Sequence, residues 1–497
     1  MKDHVQFGAY GKHRFWEMFP GILLWSTLIL AVLLSFIAPL WVIIFIIVFD
    51  VLWLYRVLYF VIYLSFSWFR YRKTVKTKWA DKLDSVACQN IHHVIFLPTY
   101  GEPYEIIQAT LSSLRETTFP NDKMIIVLAG EERDQKNFRQ NKEAMQKEFS
   151  GVFKDLLFTE HPKDLPEEIP GKGSNLHWSG RRVAKILEDK YPDIADEDIV
   201  VSAFDVDTIA HREYFAYLTY LYCTHPNPTR SSYQPVALFA NNIWSAPAPV
   251  RVSAFGTTFW LLTELARPDR MWTFSSHSMP LVMLKDVGFW QKDIVSEDSR
   301  IFMQAFIHYH GDYEVTPMFL PVSMDTVTGG NYREALGALY KQIRRWAWGV
   351  EHLAYMVPAF RKDKQMPLRK KIRYLWNQIE GPFTWATAPI LMFVLGWLPL
   401  KIAEGQSNAI INAAPFTLEQ LMQYALVGIF VSAFVALAML PPRPKSVGPH
   451  AWLVMILQWV LLPVTFIVFG SIPAIDAQTR LMLGKYLGFN VTKKQRS

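Results

Sequence analysis

Apolar residues run almost without interruption from 19 to 66, about twice the roughly 20 positions that one membrane-spanning helix needs. Pro39 falls near the middle of the run, so it reads as a helical hairpin. The run is too long for a signal-peptide core and no small-residue cleavage site follows, so it is expected to stay as an anchor. Three further apolar stretches, 383–400, 418–440 and 452–472, come after a central region of mixed composition. In that region apolar β-rich runs at 94–97, 124–128 and 199–204 alternate with helical periodicity at 104–117 and 138–149. Such alternation predicts an α/β domain with a largely parallel sheet. The expected order is a cytoplasmic N-terminal segment (1–18), a transmembrane hairpin (19–66), the α/β domain (67–357), a basic interfacial segment (358–382), membrane helices (383–473) and a basic tail (474–497).

Composition supports two environments in one chain, because 51% of residues are hydrophobic while 19% are charged. The basic residues behind the net charge of +7 concentrate at 70–82 and 361–373, each abutting an apolar segment. Positive-inside bias and attraction to anionic lipid produce that placement, so the lipid bilayer is the expected partner and nucleic acid is not. Lys12 and Arg14 precede the hairpin and the 70–82 cluster follows it. Both hairpin ends, and the domain between the membrane regions, are therefore assigned to the cytoplasmic face of the inner or plasma membrane in a multi-pass protein. Asp50 and Arg56 lie within the second half of the hairpin, where charges either pair with neighbours or face a polar path. Five spans would leave the C-terminus outside, whereas Arg480, Lys485, Lys493, Lys494 and Arg496 favour the inside and Pro463 interrupts the last stretch. The pattern leaves the span count open. Cys88 and Cys223, the only cysteines, are too few for a disulfide framework and suit a reducing compartment.

Ligands of parallel sheets bind beyond the carboxyl ends of the strands, which directs attention to the residues after each run. The first run ends in Pro98-Thr99-Tyr100-Gly101-Glu102-Pro103, a turn that could hold a nucleotide base, although any strand-to-helix turn needs Pro and Gly. After 199–204 come Asp205 and Asp207. Residues i and i+2 of an extended chain project to one side, so the two carboxylates could hold one Mg2+ or Mn2+ and, through it, a diphosphate. A decoy, Asp196/Asp198, precedes the run in a charged loop. Ser296-Glu297-Asp298-Ser299 opens a predicted helix at 300–308 and is either a capping segment or a poised carboxylate. Residues 334–356 read as a helix with Gln342, Arg345 and Trp346 within one turn. Arginine pairs with phosphate and tryptophan offers a surface for a sugar ring, though a basic interfacial helix would share the pattern. His308 and His310 lack a further ligand at metal spacing and read as surface histidines.

In this order the elements, from 94 to 346, resemble the bacterial processive β-glycosyltransferases of family 2, which include cellulose, hyaluronan and poly-N-acetylglucosamine synthases. The resemblance implies a GT-A-like α/β domain inserted between α-helical transmembrane segments. It implies metal-dependent, inverting transfer from a nucleotide-diphosphate sugar, a UDP-sugar foremost, to a polysaccharide or lipid acceptor. By that resemblance Thr99, Tyr100 and Glu102 lie near the base and ribose. Lys172 and Asn175, in Gly171-Lys172-Gly173-Ser174-Asn175, are similar to a Lys-x-x-Asn element beside the diphosphate, and Asp205 and Asp207 form the metal motif, with Asp205 also at the nucleotide. Asp298 becomes the catalytic base beside Glu297, and Gln342, Arg345 and Trp346 match the Gln-x-x-Arg-Trp signature at acceptor and pyrophosphate. Phe274-Ser275-Ser276-His277-Ser278 is similar to the acceptor-proximal finger, with Ser276 as its acceptor residue. Where many members place aspartates after the second strand this chain reads Ala129-Gly130-Glu131-Glu132-Arg133-Asp134, so base or ribose recognition is expected to differ, with Glu131 as the candidate. Residues 489–494 are similar to a Phe-x-Val-Thr-x-Lys gating segment, again favouring a cytoplasmic tail. The rival expectations are transfer of a single sugar to a lipid acceptor, a nucleotide-sugar sensor without turnover, and a polymer-conducting channel.

Overall fold

β-Rich runs at the centre of the chain become the middle of one eight-stranded sheet in the computed structural model, which describes residues 10–86, 88 and 90–488. The gating-like segment at 489–494 lies outside the described residues. Strands β1 (His92–Pro98), β2 (Met124–Glu131) and β4 (Ile199–Ala203) run parallel, with β1 between the other two, and β3 (Asp155–His161) extends the parallel part beyond β2. On the other side of β4 the order continues through β7 (Ser278–Pro280), β6 (Ser231–Phe239), β8 (Glu314–Met324) and β5 (Ile209–Ala210). β7 is antiparallel to both neighbours, β6 and β8 are parallel, and β5 is antiparallel to β8, so the sheet is mixed and mostly parallel.

Alternation of period two sends these strands' apolar residues to two cores. Val94, Phe96, Ile125 and Val127 pack with Leu176 and Val183 of the helix Lys172–Lys190. Ile95, Leu97, Ile126 and Leu128 pack with Ile107 and Leu111 of Tyr104–Arg115 and with Phe138 and Met145 of Gln135–Phe149. The expected helix over 334–356 is broken. It runs as Tyr332–Ala347, a 3-10 turn Trp348–Glu351, and then His352–Lys362. Side chains three apart eclipse in a 3-10 turn, and here Trp348 Nε1 donates to Glu351 Oε2 at 3.1 Å inside the protein.

Among the described residues five helices are long and apolar enough to cross a membrane: Arg14–Ile37, Pro39–Val75, Leu368–Ile402, Ala409–Met439 and Ala451–Met482. The first two form the expected hairpin, broken at Ala38–Pro39, and the second continues to Val75. Arg56 forms an ion pair with Glu380 of the third helix, and Asp50 is buried. Around the hairpin's turn, Val42 and Ile46 pack with Leu391 and Leu418, and Ile43 packs with Ala403 and Ile411.

The fifth helix takes no part in those clusters. Its first half packs on the helix Ala248–Leu265 of the α/β domain, where Trp459 meets Phe259 at 6.1 Å and Arg251 Nε donates to Gln458 Oε1 at 2.6 Å. Its last turns lie against the start of the first helix: Arg14 Nη1 donates to the Leu481 carbonyl at 2.7 Å and Trp25 Nε1 to Thr479 Oγ1 at 3.0 Å. Cys88 and Cys223, 135 residues apart, form a disulfide with Cα atoms 6.1 Å apart, joining the lead into β1 to the helix Tyr214–Thr224. A count of two cysteines carries no information about that approach, which folding alone creates.

Candidate active site

Two helices begin beside the carboxyl ends of β1 and β4, and their first residues meet. Lys172, the first residue of one, extends its ammonium to 2.8 Å from Asp205 Oδ1, 2.9 Å from Asp298 Oδ1 and 3.9 Å from Glu297 Oε1. Asp205 Oδ2 also accepts from Ser275 Oγ at 2.7 Å. The Asp205 and Asp298 carboxylates on one buried ammonium satisfy the rule that buried charge must be paired. Burial alone would pull the Lys172 pKa down, but the Asp205, Asp298 and Glu297 carboxylates outweigh it and hold it above the usual lysine range. The helix starts approach closely because residue 173 is glycine: a Cβ there would lie 3.1 Å from Glu297 Cβ and 3.2 Å from the Gln291 carbonyl oxygen.

The adjacent carboxyls Glu297 and Asp298 occupy different environments. Glu297 is 1% exposed, and its Oε1 has no hydrogen-bond partner among the described residues. Burial pushes its pKa up to about 8; Asp298 adds to the rise, while Lys172 and Arg345 oppose it. Asp298, with its side chain 20% exposed, is the member of the pair that forms the short contact with Lys172. His277 lies 4.0 Å from Asp298 with its Nδ1 on the Phe274 carbonyl at 2.7 Å. Complete burial depresses its pKa to about 4, so it is neutral and Nδ1–H donates to that carbonyl.

The Asp-x-Asp pair divides its tasks. Asp205 is 29% exposed and borders the site, whereas Asp207 is 1% exposed and its Oδ2 accepts from the Asp325 amide at 2.9 Å. Among the described residues no group of three or more His, Cys, Asp or Glu side chains is placed to hold a metal. Mg2+ binds through one or two carboxylates completed by phosphate oxygens and water, so this donor set suits a cation that arrives with a diphosphate. Asp205 already faces one positive charge, that of Lys172. The decoy falls in a 3-10 turn, where Asp196 pairs with Lys285 at 2.6 Å, away from the cluster.

At the ends of β1 and β2, Glu102 Oε2 accepts from Thr99 Oγ1 at 2.9 Å and from the Tyr100 amide at 2.6 Å, which fixes the turn. The Arg133 guanidinium lies over the Tyr100 ring at 4.7 Å and its Nε donates to the buried Glu131 carboxylate at 2.8 Å. Burial raises the Glu131 pKa and Arg133 counters it. Asn175 bonds the Ala129 carbonyl (2.8 Å) and Ser179 Oγ (3.0 Å), tying the Lys172 helix to β2. Ser276 is fully buried with its hydroxyl 3.1 Å from Thr208 Oγ1, and its neighbour Ser275 is the finger residue that reaches Asp205. Gln342 and Trp346 line a small cavity with Phe239, whose ring is 5.7 Å from that of Trp346. Arg345 comes close enough to Glu297 to lower its pKa. Arg344 instead turns away to Asp476 of the fifth apolar helix, at 2.9 Å. His310 pairs with Asp363 at 3.1 Å rather than with His308. Ser275 and His277 were missed as site residues because their finger was matched only as a divergent motif.

No protein-family model matches the sequence, and no curated protein matches it. Among solved structures, the mannosyltransferase PcManGT from Pyrobaculum calidifontis, in complex with GDP-Man and Mn2+, superposes with a TM-score of 0.42 at 16% identity, over 82% of this chain and 95% of that one. S. aureus TarS 1-349 in complex with UDP-GlcNAc superposes with a TM-score of 0.35 at 12% identity, over 76% and 91% of the two chains.

Proposed function

We propose that the protein is an inverting, family 2-type membrane glycosyltransferase that moves a sugar from a nucleotide-diphosphate sugar to a growing β-linked polysaccharide at the cytoplasmic membrane face. The observation that carries the reading is the convergence of Asp205, Glu297 and Asp298 on Lys172 beyond β1 and β4. Asp298 takes the proton of the acceptor hydroxyl; its oxygen attacks the anomeric carbon, the bond from that carbon to the phosphate oxygen breaks, and the nucleoside diphosphate leaves with the electron pair. An incoming diphosphate competes with Asp298 for the Lys172 ammonium, so donor binding itself frees the base. Lys172 and Arg345 then balance the charge of the departing diphosphate, and buried Glu297 keeps its proton and adds no second negative charge beside Asp298. Asp205 and Asp207 would hold Mg2+ or Mn2+, which when bound supplies Lewis-acid stabilisation of the diphosphate. Thr99, Tyr100, Glu102 and Glu131 take the base and ribose, and Trp346 with Gln342 orients the acceptor.

The same reading sets the topology at four spans. Both ends of Ala451–Met482 contact the side of the molecule that carries the α/β domain, which supports a helix lying in the cytoplasmic interface and a C-terminus inside. Membranes containing the protein, incubated with a panel of labelled nucleotide sugars and Mg2+ or Mn2+, are expected to build a sizeable polymer from one donor. Asp298→Asn is expected to cut transfer by roughly 10²–10⁴-fold, the contribution of a general base, with nucleotide binding retained. Product confined to one added sugar would favour single transfer to a lipid, and no incorporation from any donor would remove the enzyme reading.

A further inference from the structure

Asp298 sits on the first turn of the helix Glu297–His308, and that turn is clasped by two consecutive residues with no part in the chemistry above. Glu351 is 3% exposed, and its Oε1 accepts from the backbone N–H of Ser296, the N-cap residue, at 3.2 Å. The Ser296 hydroxyl makes no capping bond, and the carboxylate from the 3-10 turn holds the cap residue through its own backbone N–H. Glu351 Oε2 is fixed in turn by the Tyr10 hydroxyl and by Trp348 Nε1. The next residue, His352, is also buried; its Nδ1 accepts from Arg300 Nε at 3.1 Å and its Nε2 lies 2.7 Å from Ser299 Oγ. An acceptor at Nδ1 places the proton on Nε2, so the neutral ring donates to Ser299. Glu351 and His352 therefore hold Ser296, Ser299 and Arg300, the residues on either side of Asp298.

We propose that Glu351 is a positioning residue that sets the orientation of Asp298, resting on the reading of Asp298 as the catalytic base. Two features make it more than a local brace. The 3-10 turn follows directly on the helix that bears Gln342, Arg345 and Trp346, so one stretch of chain fixes the acceptor side and the base together. Tyr10 stacks on Tyr486 at 4.4 Å, so the segments before the first membrane helix and after the last apolar one close over the Glu351 carboxylate. A carboxylate there holds the Ser296 amide in a way that a purely apolar filler cannot.

The test compares Glu351→Ala, Glu351→Gln and Glu351→Asp in detergent-purified full-length protein. Gln keeps an acceptor for the Ser296 amide and gives up the one that Trp348 Nε1 uses, Asp withdraws both by one methylene, and Ala removes both. Glu351→Ala is expected to lower kcat roughly 10- to 100-fold, the scale of a base displaced by about 1 Å, with donor KM within about twofold. Glu351→Gln should recover at least about a third of wild-type kcat, and Glu351→Asp should fall between them; it stands in for Ala if Ala fails to fold. Amide hydrogen exchange over 296–302 should accelerate in the Ala and Asp variants and not in Gln, a readout independent of turnover. Normal kcat and unchanged exchange in Glu351→Ala, or equal losses in Ala and Gln, would overturn the positioning role. Faster exchange in Ala but not Gln, in a protein whose wild type transfers no sugar, would keep the clasp and remove the transferase reading instead.

Discussion

Glu297 and Asp298 differ by one position in the chain, yet the fold buries one almost completely and sets the other 2.9 Å from the Lys172 ammonium. That contrast has a consequence for stability. Burial holds the Glu297 proton up to about 8 against an ordinary 4.5. As pH rises past the ordinary value the unfolded chain releases this proton while the folded chain retains it, so the stability tied to the neutral form is fully present below 4.5 and is lost as pH rises through about 8. The thermal midpoint of the wild type in detergent is expected to fall over that window relative to Glu297→Gln, which keeps a neutral amide at the same place. Parallel curves for the two proteins would show that Glu297 is ionised throughout. The pair was visible in the sequence only as acidic residues at a helix start, a position acidic residues favour for capping alone. The burial that separates the two roles comes from Lys172, Gly173 and Gln291, which lie more than a hundred positions upstream or in the preceding loop, and no local pattern reports it.

At the scale of elements, the site depends on how closely the Lys172 and Glu297 helices begin. Gly173→Ala would set a methyl against Glu297 Cβ and a backbone carbonyl, neither of which can swing away. Alanine improves helix propensity by up to about 1 kcal/mol, but overpacking typically costs ~1–3 kcal/mol, so the net expectation is a lower thermal midpoint. Because the displaced element carries Asp298, turnover should fall more than the midpoint suggests. A midpoint and kcat both equal to wild type would mean that the helix starts are looser than they are drawn. The legible part of the chain was β4 followed by Asp205, found because hydrophobic periodicity marks where a strand stops, and Gln342, Arg345 and Trp346, found by their spacing within one helical turn. What periodicity misses is how an element bends or tilts. The 3-10 turn that swings Glu351 beneath the Asp298 helix reads as continuous helix, since its apolar residues keep nearly the same spacing.

For the whole molecule, hydropathy finds five helices of spanning length and cannot say which of them cross, because a helix between protein and lipid is as apolar as one through the bilayer. The fifth shows that division. Met455, Trp459, Ala474 and Ala477 face protein, while Leu453, Leu457, Val460, Val464 and Phe466 are exposed on the other side. Its length exceeds the membrane core, yet Arg251 grips it near its start, at Gln458, and Arg14 grips its end, and both belong to the domain side of the molecule. A crossing helix would have to carry its last turn to the Ile43–Ala403 end, where it has no contact. On the proposed four-span reading Arg480 and Lys485 share the face of the α/β domain, which is the arrangement positive-inside bias favours. Single cysteines placed by Ser407→Cys and Leu483→Cys, in a chain whose Cys88 and Cys223 are replaced by alanine, should separate cleanly under an impermeant thiol reagent. Intact cells are expected to label position 407 alone and inverted vesicles position 483 alone. Labelling of both positions from the same face would restore the fifth crossing, and with it a C-terminal segment on the face opposite the α/β domain.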